Sequence, residues 1–154
     1  MKDLEKRISD DLLTAMKQRR EMELSSLRML KADLQMASSE KGHKGDLSEE
    51  EIITRIQKLV KQRREASEQY AAVGAAPRAE AELREALFLE TYLPEQLSDR
   101  ELERIIEESA AEAKAAGPKD TGKVMGRVMA LVKGRAEGNR VKTKVQRYLQ
   151  SLSE

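Results

Sequence analysis

The residues best suited to chemistry lie near the end of the chain, where basic side chains strongly outnumber acidic ones. Residues 114–150 hold 10 Lys or Arg side chains and only two carboxylates, Asp120 and Glu137, which gives the segment a net charge of +8. Positive charge at reachable spacing is sufficient to bind a nucleic-acid backbone, and such contacts carry little sequence information. The segment therefore predicts a surface for an anionic partner such as a nucleic acid.

Six of these cations are the candidate nucleic-acid-binding residues, and the alternative is a solvated basic face without a ligand. They are Lys123, Arg127, Arg135, Arg140, Lys142 and Lys144. Base stacking requires an exposed aromatic side chain, and Tyr148, the one aromatic residue after residue 94, is expected in the core. Specific reading of a single strand is therefore not expected.

No set of residues predicts catalysis, a metal ion or a cofactor. The chain has no cysteine, and its one histidine, His43, lies between two glycines in a predicted loop, where we expect it to be exposed to solvent. A lone histidine without convergent carboxylates does not make a metal site. Residues 49–51 are three glutamates, which at the first turn of a helix complement its dipole. A Walker loop and a dinucleotide fingerprint are both absent.

Two other polar or glycine-rich features have alternative interpretations. Arg63, within a basic run at residues 61–64, falls on an otherwise apolar helical stripe. It is either a side chain extending from a partly buried face or a polar contact to another module or a ligand. The spacing of Gly117, Gly122 and Gly126 resembles a glycine-rich loop, but because no strand precedes it, we expect these glycines to turn the chain and let two helices approach closely.

The elements that must position these residues are helices. Aromatic residues are 3% of the chain, charged residues are 37%, and Ala, Leu, Glu, Lys and Arg make up more than half. This composition is typical of long helices, and apolar residues recur at helical spacing nearly throughout. The predicted fold is all-α, with an elongated helical domain at residues 1–94 and a small three-helix bundle at residues 95–154.

Local signals place several helix ends. Ser48 with Glu51, and Ser98 with Glu101, are predicted capping boxes, and Asn139 is a predicted N-cap. The stretch 38–47 is a predicted loop. Residues 4–36 could form one helix or two, because no glycine or proline marks a break. The predicted apolar face of the middle C-terminal helix consists of Val124, Met125, Val128, Leu131 and Val132.

Hydropathy and charge limit the setting in which the chain works. No window approaches 18 uncharged residues, so neither a signal peptide nor a transmembrane helix is expected, and the predicted location is the cytoplasm. Residues 95–113 carry a net charge of −5, so acidic and basic segments follow one another in the C-terminal module.

The order and spacing of several short motifs resemble the YqeY-like family over essentially the whole chain. The motifs are Leu27-Arg28-Met29-Leu30-Lys31, Lys61-Gln62-Arg63 with Ser67 and Tyr70, Glu82 through Tyr92-Leu93-Pro94, the run from Gly122 to Met129, and Gly134-Arg135-Ala136-Glu137-Gly138. The C-terminal part is similar to the tail domain of GatB, a subunit of the glutamine-dependent aspartyl/glutamyl-tRNA amidotransferase.

The resemblance implies a helical tail that contacts tRNA and a grouping with carbon–nitrogen ligases that use glutamine as amido-N-donor. The phosphorylation, amide-transfer and glutaminase sites of the amidotransferase lie outside that tail, and nothing in this sequence resembles them. We therefore expect an accessory protein that binds tRNA or another RNA. The alternatives are a component linked to amidotransferase activity and a protein–protein adaptor that docks a partner through its N-terminal helices.

Overall fold

A computed structural model describes residues 3–40, 42–43 and 45–154, and these residues form helices and no strand. The helices are α1 (Asp3–Gln18), α2 (Glu21–Ser38), α3 (Glu49–Ala72), α4 (Ala76–Glu90), α5 (Asp99–Glu112), α6 (Thr121–Val132) and α7 (Gly138–Leu152), with a 3₁₀ helix at Pro118–Asp120. The predicted all-α class is confirmed. Contacts divide the chain into a first unit that ends at Leu93 and a second unit at Pro94–Glu154.

The region between residues 4 and 36 forms two helices. Arg19 follows α1 with a backbone φ of 53°, in the left-handed region that few residues other than glycine adopt. The Arg20 N–H then donates to the Ala15 carbonyl at 3.0 Å, which closes the end of α1 before α2 begins. Because arginine carries no sequence signal for this conformation, the break is a finding of the structure.

The first unit packs α1–α4 around one apolar core. Its fully buried large side chains are Ile8, Leu27, Leu30, Ile52, Ile56 and Leu89. The beginning of α1 is held to the end of α4 through Tyr92, whose hydroxyl donates to Asp11 at 2.6 Å and whose ring lies 4.6 Å beneath the Arg7 guanidinium. Burial, and then the hydrogen bond to Asp11, raise the pKa of the Tyr92 hydroxyl above its usual range.

Arginines of α3 pair with carboxylates of the neighbouring helices. Arg55 donates two hydrogen bonds to Asp33 on α2, at 2.8 and 2.9 Å. Arg63 pairs with Glu82 at 3.1 Å and with Glu85 at 3.5 Å, both on α4. Arg63 thus lies on a partly buried face, and its partners belong to its own unit.

The second unit has a separate core made by α5, α6 and α7. Its fully buried large side chains are Leu102, Ile106, Val124, Val128, Val132 and Leu149, with Val141 and Val145 beside them. The prediction that Leu131 belongs to the apolar face of α6 is wrong, since this residue is 59% exposed. The stripe of Val124, Val128 and Val132 follows a four-residue step instead.

Two of the three predicted helix caps are present in the structure, and the third is replaced by a neighbouring residue. Ser48 and Ser98 accept hydrogen bonds from the N–H groups of Glu51 and Glu101, and both predicted capping boxes are present. The predicted N-cap Asn139 is wrong, because the α7 cap is Glu137. The Glu137 carboxylate accepts from the N–H groups of Asn139 and Arg140 at 3.1 and 3.0 Å, where the positive end of the helix dipole favours an anion.

Among the residues that the structure describes, no helix is both long enough and apolar enough to cross a membrane.

Candidate nucleic-acid interface

Two of the candidate cations lie on the solvent side of α6. Lys123 and Arg127 are both exposed and are four residues apart, so they occupy neighbouring turns of one face. Val124 and Val128 point into the core, which directs Lys123 and Arg127 outward. Arg127 is 3.3 Å from Glu112, but both side chains are largely exposed, and an ion pair of this kind contributes little.

The glycines of α6 lie on the same outer side as these cations. Gly122 and Gly126 are exposed, and a Cβ atom added to either would meet no atom within 4 Å. The predicted close approach is therefore wrong at Gly122 and Gly126, whereas a Cβ atom added to the buried Gly117 would lie 3.6 Å from Ser153 at the end of α7. The exposed Ala130 continues the row, so small residues and cations lie side by side on the outer surface of α6, together with the exposed Met129 and Leu131.

Arg140 and Lys144 lie on α7 and are paired with α5. Both terminal nitrogens of Arg140 donate to the Leu97 carbonyl at 3.1 Å, and Nη2 also donates to Asp99 at 2.6 Å. Lys144 is 3.0 Å from Glu103 and 3.5 Å from Asp99, and its side chain is only 17% exposed. The hydrogen bond from Arg140, followed by the charge of Lys144, lowers the pKa of Asp99. Both cations thus hold α7 against the start of α5.

Arg135 lies in the connection between α6 and α7 and joins it to the segment before α5. Its Nε donates to the Glu95 carbonyl at 3.1 Å, and its own carbonyl accepts from the Leu97 N–H at 2.8 Å. These bonds fix the segment that precedes α5. Arg135 is therefore part of the internal hydrogen bonding of the second unit.

Lys142 differs from its neighbours on α7. It is exposed, and among the described residues it has no ion-pair partner within 4.0 Å. Since successive residues turn by about 100° around a helix, Lys142 lies on the other flank of α7 from Arg140 and Lys144. The six candidates thus separate into three that are engaged in the fold and three, Lys123, Arg127 and Lys142, that are available at the surface.

Further exposed cations lie beside the available ones. Lys119 precedes α6, Lys133 follows it, and Arg147 lies on α7, all exposed. The turn before α6 is held by Asp120, whose carboxylate accepts from the Ala116 N–H at 2.8 Å. Hydrogen bonds from backbone N–H groups lower the pKa of Asp120, so this carboxylate is ionised and bound within its own loop.

One sequence signal could have separated the engaged cations from the available ones. Carboxylates recur four residues apart on α5 at Asp99 and Glu103, and cations recur four residues apart on α7 at Arg140 and Lys144. Two such stripes at helical spacing predict facing helices of opposite charge. Lys142 falls outside the stripe, as do Lys123 and Arg127 on α6.

His43 lies outside the helices, as predicted, but the expectation that its side chain is exposed to solvent is wrong. Its side chain is 19% exposed, and Nε2 lies 2.7 Å from Oε2 of Glu51. This hydrogen bond is the main reason why the pKa of Glu51 is lowered. Glu51 also closes the capping box of α3, so His43 anchors the loop to that helix. In the described ranges, no group of three or more His, Cys, Asp or Glu side chains could hold a metal ion.

The sequence motifs described above lie within one family match. The model of the family described as Yqey-like protein matches residues 5–149. The chain belongs to this family. The match covers helices of both units of this YqeY-like chain, including α6 and α7, where the candidate cations lie. No curated protein matches the chain.

Proposed function

We propose that this YqeY-like protein binds the phosphate backbone of RNA, tRNA among its ligands, through the second unit. The observation that carries the proposal is the net charge of +8 on residues 114–150, of which part remains unpaired at the surface. Counterions released from RNA by such cations favour binding without reading the sequence. The protein would act as an RNA-associated accessory factor.

The contacts within the second unit support α6 as the main binding surface. The carboxylates at the start of α5 neutralise the cations of α7 that face them, such as Arg140 and Lys144. On α6 the only neighbouring carboxylate within 4.0 Å of a described cation is the exposed Glu112. The exposed Gly122 and Gly126 leave room for a phosphate backbone to approach the helix closely.

Charge reversal on α6 tests the proposal. Replacing Lys123 and Arg127 with glutamate removes two cations from the surface without touching the core. We expect weaker binding to many RNAs alike, and a smaller slope of log affinity against log salt, by roughly 0.7–0.9 for each phosphate that is no longer neutralised. Fluorescence anisotropy with labelled tRNA, at several salt concentrations, measures both quantities.

A matched control separates the surface from net charge alone. Lys58→Glu with Arg84→Glu changes the total charge by the same amount on exposed helical positions of the first unit. We expect this control to retain the salt slope of the wild type. Equal losses of affinity in the two double variants, or no binding of tRNA by the wild type at low salt, would contradict the proposal.

Docking of a protein partner by the first unit is a second candidate function. Leu83 and Leu87 lie one turn apart on α4 and are 37% and 50% exposed, and Leu13 and Met16 are exposed on α1. Each helix thus presents a pair of exposed apolar residues on one face, and clusters of exposed apolar side chains are typical of interaction surfaces. A role of this kind is compatible with RNA binding by the second unit.

A link to glutamine-dependent tRNA amidotransferase activity is the third candidate, and it derives from the similarity to the GatB tail. In such a complex this chain would recognise tRNA, and another polypeptide would catalyse the release of ammonia from glutamine and the amide transfer. The RNA-binding measurement above is therefore the first requirement of this candidate as well.

A further inference from the structure

A groove between α5 and α7 is not used by the proposed backbone contacts. Its volume is about 230 Å³, below the roughly 300 Å³ at which pockets begin to accommodate drug-sized molecules. This α5–α7 groove is lined by Glu103, Ile106, Glu107, Lys144, Arg147 and Tyr148. A site of this size suits a single planar group with a charged neighbour.

The charges in the groove are only partly satisfied by the protein. Lys144 and Glu103 pair at 3.0 Å, which leaves Glu107 and Arg147. Within the described part of the chain, neither of these two has a partner within 4.0 Å, and both are exposed. The groove thus offers one acceptor and one guanidinium to a ligand that carries both a donor group and an anion.

The aromatic wall of the groove is Tyr148, and the expectation that it is a core residue is only partly correct. Tyr148 packs against the core of the second unit but stays partly exposed where it lines the groove. It is the one aromatic residue after residue 94. The reason for excluding base stacking in this unit therefore does not hold.

We propose that the α5–α7 groove holds one unstacked base of a single-stranded RNA segment. The base stacks on the Tyr148 ring above the apolar side chain of Ile106, and Arg147 binds the adjacent phosphate. Glu107 accepts a hydrogen bond from an amino group on the edge of the base. This inference rests on the proposed RNA binding and adds a base contact to the backbone contacts of α6.

The acceptor in the groove gives the site a preference among bases. An ionised glutamate can only accept hydrogen bonds, and it is suited to the amino group of cytosine. Uracil has a carbonyl in the place of that amino group. Its carbonyl oxygen and the Glu107 carboxylate would both be hydrogen-bond acceptors, so no hydrogen bond forms between them. The groove therefore favours cytosine over uracil while stacking both on the same ring.

Short oligonucleotides test the site in the full-length chain. Anisotropy is measured with hexacytidylate, hexauridylate and a blunt RNA duplex that has no unpaired bases. We expect the wild type to bind hexacytidylate more tightly than hexauridylate. Tyr148→Leu should weaken hexacytidylate binding by about 5- to 150-fold, the range found when an aromatic stacking partner is removed, and should leave duplex binding unchanged.

Three further variants control this measurement. Tyr148→Phe keeps the ring and should bind like the wild type, and Tyr70→Leu removes a tyrosine of the first unit and should have no effect. Glu107→Gln replaces a pure acceptor with a side chain that can also donate, so the preference for cytosine over uracil should shrink. Loss of that preference without loss of fold identifies a base contact, because a merely structural role would not change it.

The outcomes separate this inference from the proposed function. If the duplex binds and the α6 charge reversal weakens it, but Tyr148→Leu and Glu107→Gln leave oligonucleotide binding unchanged, the base site is wrong and backbone binding stands. That result would also be expected if the groove accommodates a protein side chain. If none of the three RNAs binds the wild type at low salt, both proposals are wrong.

Discussion

The two units place their arginine side chains in different surroundings. In the first unit Arg55 and Asp33 are each less than a quarter exposed, and their two hydrogen bonds join α3 to α2. In the second unit Arg140 pairs with Asp99, which is 70% exposed at the start of α5. The first arrangement satisfies both charges inside the fold, whereas the second leaves its carboxylate open to solvent and to exchange with another anion.

Net charge also varies along the chain, with the large basic excess confined to one part of the second unit. Residues 1–94 carry a net charge of −1, and residues 114–150 carry +8. Cations that pair across helices contribute to packing in both units. In the second unit, exposed cations without a carboxylate within 4.0 Å among the described residues lie on α6 (Lys123) and on both flanks of α7 (Lys142 and Arg147). We therefore expect the carboxylates of the fold to decide which basic residues are available to a ligand.

The largest effect is expected from a charge placed in the core of the second unit. Val128 is fully buried among apolar side chains, so Val128→Asp leaves a carboxylate without a partner. The free energy of unfolding should fall by several kcal/mol, which is about the whole stability of so small a unit. Chemical denaturation followed by circular dichroism should show that the helical signal of α5, α6 and α7 is lost before denaturant is added.

The matched control is Leu131→Asp, three residues away on the same helix. Because Leu131 is 59% exposed, we expect a change within about 0.5 kcal/mol. Equal stability of the two variants would show that α6 does not pack through the stripe of Val124, Val128 and Val132.

Removal of one carboxylate from each unit tests the comparison of the ion pairs directly. Asp33→Asn weakens the two hydrogen bonds to a partly buried Arg55 and should cost about 1–3 kcal/mol in the free energy of unfolding. Asp99→Asn should cost less, because Asp99 is largely exposed. Thermal and denaturant unfolding of both variants measure this order, and a larger loss for Asp99→Asn would reverse it.

In RNA binding the order of the two variants should be reversed, with the larger effect on affinity for Asp99→Asn. Asp99→Asn removes the shared carboxylate between Arg140 and Lys144, so RNA affinity should increase at low salt. Asp33→Asn makes the same change of charge in the first unit and should leave affinity close to that of the wild type. Equal increases would assign the effect to net charge and not to the second unit.

The sequence could reveal features that depend on neighbouring residues. Ser48 and Glu51 are three residues apart, and their capping box needs nothing beyond the local chain. The roles of Lys142 and Lys144 differ although they are two residues apart, because Lys144 pairs with Glu103 from another helix. Residue type and spacing identified the basic segment, but the partners that engage part of it come from α5, about 40 positions earlier.

Backbone conformation and side-chain reach set a second limit on the prediction. The break between α1 and α2 depends on the positive φ of Arg19, for which arginine gives no signal. The predicted cap of α7 is two residues away from the observed one, because asparagine is a common N-cap and glutamate is not. The Glu137 side chain is long enough to reach the N–H groups of Asn139 and Arg140, which lie ahead of it in the first turn.

The smallest effect is expected at this cap, and it sharpens the assignment of the start of α7. Glu137→Ala removes the acceptor for the N–H groups of Asn139 and Arg140 and should cost about 0.5–2 kcal/mol. Asn139→Ala should be nearly neutral, because Asn139 supplies only its backbone N–H to the cap. Since Glu137 is one of the two carboxylates in the basic segment, its removal should also raise RNA affinity slightly, in contrast to Asn139→Ala. Denaturant unfolding of both variants gives the stability difference, and anisotropy with tRNA gives the affinity difference. A greater loss of stability for Asn139→Ala than for Glu137→Ala would show that Asn139, and not Glu137, is the N-cap of α7.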